Sequence, residues 1–90
     1  MDKPILYRHM YYTQISDEEA DLLSKRWIAQ TIHKAIQIAT GKYINMSVRR
    51  NRGENDDINY LELDMDISIS ITLVYTIIND YLLALTSLKH

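Results

Sequence analysis

The ninety-residue chain contains no cysteine, no phenylalanine, a single proline and two glycines. Without cysteine there is no disulfide, no thiolate nucleophile and no sulfur-ligated metal. With only Gly41 and Gly53 there is no glycine-rich loop to cradle a phosphate. His9, His33 and His90 are scattered, so no histidine pair has metal-ligand spacing, and no Ser, His and acid grouping has motif spacing. No cofactor is expected, and an enzyme is not expected. The apolar C-terminal stretch is interrupted by Ser68, Ser70, Thr72, Thr76, Asn79 and Asp80, which argues against a membrane span. Met1-Asp2-Lys3-Pro4 lacks the basic and apolar regions of a signal peptide, so the expected location is the cytoplasm. A net charge of −2 argues against general attraction to nucleic acid or anionic membrane.

What is present fits one small domain, residues 1–90. A chain of this size buries only about 60–65% of its unfolded surface. With no disulfide or metal to add stability, self-association is the remaining common remedy, and a homodimer is expected.

Ser16-Asp17-Glu18-Glu19 has the form of a capping box, with acidic side chains at the positive end of a helix dipole. No glycine or proline follows until Gly41, so the pattern predicts one unbroken helix over 17–40. Its apolar arc is Leu23, Trp27, Ile28, Ile32, Ala35, Ile38 and Ala39, with His33 on the exposed side. Ahead of it, residues 5–15 are rich in Tyr, Ile and Thr and read as a strand, with a short helix started by Pro4 as the alternative. After Gly41, Ile44, Met46 and Val48 alternate with polar residues up to a dense polar turn over 50–57. Alternation resumes with Leu61, Leu63 and Met65 against Tyr60, Glu62, Asp64 and Asp66, which predicts a hairpin of 43–50 with 58–66. A helical stripe, Val74, Ile78, Tyr81 and Leu85, then takes over. The strand and helix patterns compete over 66–73; the strand is placed at 58–68 and the helix at 71–88.

The expected fold is therefore α+β, in the order β-α-β-β-α, a small three-stranded sheet with two helices on one face. The alternative is a mostly α protein, two long antiparallel helices plus a hairpin. The expected core is Leu23, Trp27, Ile32, Ala35, Val48, Leu61, Leu63, Val74, Ile78, Tyr81 and Leu85. The order β-α-β-β-α resembles that of small bacterial modulators of the SOS response, with Ser47-Val48-Arg49 in the corresponding strand. The last helix here lacks the acidic face those modulators use, so the resemblance implies a topology and carries no partner. Residues 11–26 are also similar to the first helix of small phage proteins that sequester cyclic nucleotides, chiefly through the capping box. Neither resemblance extends to family membership.

Several side-chain groups merit weighing. Glu62, Asp64 and Asp66 share a strand face, where three carboxylates suit a hard cation or, more ordinarily, pair with Arg8 and Arg49. Arg49, Arg50 and Arg52 lie in the hairpin and offer forks for phosphate or nucleic acid, although Glu54, Asp56 and Asp57 follow at once. Tyr7, Tyr11 and Tyr12 beside His9 suit base stacking or half-buried packing. Leu6, Met10 and Tyr12 fall on the sheet face the helices leave open, as candidate interface residues. Elimination thus leads to a non-enzymatic interaction protein, a regulator or inhibitor binding a macromolecular partner as a homodimer. The alternative is a nucleic-acid or nucleotide-phosphate binding module using the arginine-rich hairpin.

Overall fold

The computed structural model describes residues 7–53 and 57–87. Their elements are β1 (Arg8–Ile15), α1 (Asp17–Ser24), α2 (Arg26–Thr40), β2 (Ile44–Arg52), β3 (Asp57–Asp66) and α3 (Ile71–Ser87). The three strands form one antiparallel sheet in the order β1-β3-β2. This is the expected α+β architecture, with the first helix divided in two.

β3 is central because its alternation is complete. Leu61, Leu63 and Met65 are buried on one face, while Tyr60, Glu62, Asp64 and Asp66 are half-buried on the other. Register carries both faces across the sheet. Met65 sits opposite Ile44 and His9, Leu63 opposite Met46 and Tyr11, and Leu61 opposite Val48 and Thr13. The helices cover this side: Leu22 and Leu23 of α1, Ile28, Ile32 and Ile36 of α2, and Val74, Ile78 and Leu82 of α3 join the same core.

α1 begins on the predicted capping box. Glu19 N–H donates to Ser16 Oγ at 3.1 Å, and Ser16 N–H donates to Glu19 Oε1 at 3.0 Å. The helix does not run unbroken to Thr40. Lys25 is extended (φ −74°, ψ 124°) and its N–H turns back to Leu22 O at 3.1 Å. The reason is phase. At about 100° per residue, a continuous helix would point Leu23 directly away from the centre of the Ile28, Ile32 and Ile36 stripe and Ala20 well off it. The break at Lys25 re-phases α2 so that both sets face the sheet. It also turns Trp27 out of the expected core, leaving it 62% exposed, and Ile38 with it at 76%. α2 ends at Gly41, whose φ of 64° is the left-handed cap a side chain would strain, with its N–H bonded to Gln37 O at 2.7 Å.

The contest over 66–73 is settled by side chains. Asp66 Oδ1 accepts the Ser68 N–H at 2.8 Å and ends the strand, two residues earlier than expected. Ser70 then caps α3, its Oγ accepting from Leu73 N–H at 3.4 Å, and Ile69 is buried as the plug of the turn. Of the other expected core positions, Leu23, Ile32, Leu61, Leu63, Val74 and Ile78 are buried. Ala35, Val48, Tyr81 and Leu85 are half-buried at its margin. His33 is also half-buried rather than exposed, its Nε2–H donating to Ile44 O at 2.6 Å.

Candidate interaction surfaces

The hairpin arginines do not converge. Period-two geometry sends Arg49 to the open sheet face and Arg50 and Arg52 to the other. Arg49 Nε lies 2.9 Å from Glu62 Oε1, Arg50 pairs with Asp21 of α1, and Arg52 lies 3.8 Å from Asp57. Each positive charge thus meets a carboxylate, and no joint phosphate cradle forms among the described residues. The Arg50 guanidinium, by hydrogen bond and then by charge, holds the Asp21 carboxyl below its ordinary pKa.

The carboxylate row of β3 is likewise distributed. Glu62 faces Arg49, Asp64 lies 3.5 Å from Arg8, and Asp66 is held by Ser68, whose hydrogen bonds lower its pKa. Among the described residues no group of three His, Cys, Asp or Glu side chains has the geometry to hold a metal ion. The tyrosine cluster is divided by the pleat. Tyr11 packs edge-on to His9, ring centres 4.5 Å apart, on the helix side, while Tyr12 points to the open face. No helix among the described residues is long and apolar enough to cross a membrane.

Met10 and Tyr12 lie on the open face as expected, 41% and 62% exposed. Leu6 lies outside the described residues. Tyr12 shares a shallow depression there with Arg49, Asn51, Tyr60 and Glu62.

A second apolar surface lies on the outside of the helix layer. The end of α2 and the start of α3 adjoin the same end of the sheet, where Ile44 pairs with Met65, so the two helices run antiparallel. Between them is a cleft of about 180 Å³ lined by Trp27, Ile28, Thr31, Tyr81, Ala84 and Leu85. Trp27 and Ile38 from α2, and Leu73 and Leu83 from α3, are exposed large apolar side chains on this layer. Lys34 and Asp80 stand exposed on the same helices, and neither forms an ion pair with a described residue. Sequence reasoning missed Trp27 and Ile38 because it assumed one continuous helix. The signal that finds them is the phase mismatch of Ala20 and Leu23 with Ile28, Ile32 and Ile36. Compared with profiles of protein families, with curated proteins and with solved structures, the chain matches none of them.

Proposed function

We propose that the protein is a non-enzymatic interaction module, a small regulator or inhibitor that acts as a homodimer and holds a protein partner on the outer face of α2 and α3. The observation that carries this reading is the apolar exposure of that layer at Trp27, Ile38 and Leu73, beside an apolar cleft. A groove between antiparallel helices suits an amphipathic helix of the partner laying its apolar stripe along Trp27 and the cleft. The unpaired Lys34 and Asp80 call for a carboxylate and a cation on the flanks of that helix. Nucleic-acid binding through the hairpin has no comparable support, because Arg49, Arg50 and Arg52 diverge and each faces an acid.

The test compares the native chain with Ile38→Asp, a change at a surface position that leaves the core intact. A protein co-purified from the native host is identified, produced pure and titrated against both chains by calorimetry. The reading expects saturable binding of one partner per protomer to the native chain and at least about tenfold weaker binding to Ile38→Asp. Equal affinity for the two chains contradicts the docking face, and recovery of nucleic acid that depends on the three arginines contradicts the reading as a whole.

A further inference from the structure

The self-association read above has a specific seam: we infer that β1 pairs antiparallel with β1 of a second copy, joining two three-stranded sheets into one. The inference rests on the homodimer reading and names where it happens. Both β1 and β2 are edge strands, and the two edges are finished differently.

The β2 edge is capped at its start and charged along its far half. Backbone alternation is fixed by Asp66 N–H donating to Tyr43 O at 3.0 Å, which directs the groups of Ile44, Met46, Val48, Arg50 and Arg52 outward. The first of those outward carbonyls, Ile44 O, is taken by His33 of α2. Arg50 is strapped to Asp21 of α1, and the strand carries Arg49 and Arg52 besides. Charge and covering side chains are how proteins keep an edge from pairing.

The β1 edge is less protected: its one arginine, Arg8, sits at the start of the strand, and no side chain of another described residue bonds its outward backbone groups. Ile67 N–H donates to Tyr7 O at 2.9 Å, so Tyr7, His9, Tyr11, Thr13 and Ile15 turn their backbone groups to β3. Arg8, Met10, Tyr12 and Gln14 turn theirs outward, and no hydrogen bond from another described residue reaches them. The strand holds no proline, lysine or acid, and its pairing with β3 is continuous from Arg8 to Ile15 without a bulge. Its helix-side residues Tyr11, Thr13 and Ile15 are only half-buried, whereas their partners Leu63 and Leu61 on β3 are buried. The sheet therefore stops short on this side.

Self-pairing is geometrically complementary. A two-fold axis normal to the sheet preserves both faces, and hydrogen-bonded pairs must join the outward residues. With the axis at Tyr11, Met10 of one copy lies opposite Tyr12 of the other, and Arg8 lies opposite Gln14. Met10 and Tyr12, exposed on the open face, then cover each other twice, as sulfur against aromatic ring. No like charges are opposed. α3 packs over β1 through Tyr75 and Thr13, and the outer cleft between α2 and α3, which contains no β1 residue, stays free for a partner.

Two kinds of variant test the seam. Tyr12→Pro removes an outward N–H while sparing the ladder to β3, a position where an edge strand tolerates proline. It is expected to weaken self-association by more than about thirtyfold with an unchanged circular dichroism spectrum. Because the chain has no cysteine, Tyr11→Cys supplies a single thiol at the axis. There the Cα atoms of the two copies would be about 4.5 Å apart, within disulfide reach. This variant is expected to oxidise to a covalent dimer, and Ile38→Cys on the outer helix layer is expected not to. A native dimer that Tyr12→Pro leaves intact, or that Ile38→Cys links and Tyr11→Cys does not, overturns the seam and leaves the homodimer standing. A native chain that stays monomeric overturns both. If Tyr12→Pro unfolds, the cysteine pair decides the matter alone.

Discussion

Arg50 and Asp21 show how one side chain changes role between sequence and structure. In the sequence Arg50 belongs to a cationic cluster; in the fold it reaches back to α1 and lowers the pKa of Asp21. A carboxylate with a lowered folded pKa contributes stability above its unfolded pKa, and that contribution is lost as pH falls through the folded value. The pair is therefore fully formed at neutral pH and fades only below the ordinary carboxylate range. The Asp21 carboxylate is largely in water, so the effect on global stability is small. The site-specific effect is measurable. In an NMR titration of the side-chain carboxyls, Arg50→Ala is expected to move the Asp21 midpoint upward and leave Asp66 in place, because Ser68 holds Asp66 independently. An unmoved Asp21 would remove the strap from β2.

The central element is β3, and its register separates neighbouring residues sharply. Leu63 is fully buried, and Asp64 is half-buried on the opposite face near Arg8. Leu63→Asp places an unpaired carboxylate in the core, a cost of several kcal/mol against a total stability of about 5–10. It is expected to unfold the domain in a urea titration. Asp64→Asn should shift the midpoint by less than the equivalent of about 1 kcal/mol. Equal effects would mean a register wrong by one. Such period-two contrasts were legible in the sequence, as were the capping box at Ser16 and the cap at Gly41, because each depends on neighbours a few residues apart. The break at Lys25 was not, since no proline or glycine marks it; it exists only because two buried faces must meet one sheet. The end of β3 was blurred for a related reason. Ile67, Ile69 and Ile71 continue the strand pattern, and a local bond from Ser68 to Asp66 overrides it. Which strands form the edges, and hence where pairing is open, is a property of topology and has no local signature.

At the scale of the molecule, the sheet carries helices on one face only, and its principal extents of 52 × 34 × 22 Å are those of a thin slab. A slab of this size has a small core, no disulfide and apolar side chains on both of its outer faces. Pairing with a second copy adds buried surface and makes stability depend on concentration. In the proposed reading, the helix-layer exposure at Trp27 and Ile38 serves a partner and the open β1 edge serves a second copy. The arginine-rich hairpin, prominent in the sequence, becomes the closure of the opposite edge. All of this turns on self-association, and sedimentation equilibrium of the native chain at micromolar concentration tests it most directly. The account predicts a species of twice the 10.6 kDa chain mass, dissociating on dilution. A single species of 10.6 kDa at every concentration would contradict it.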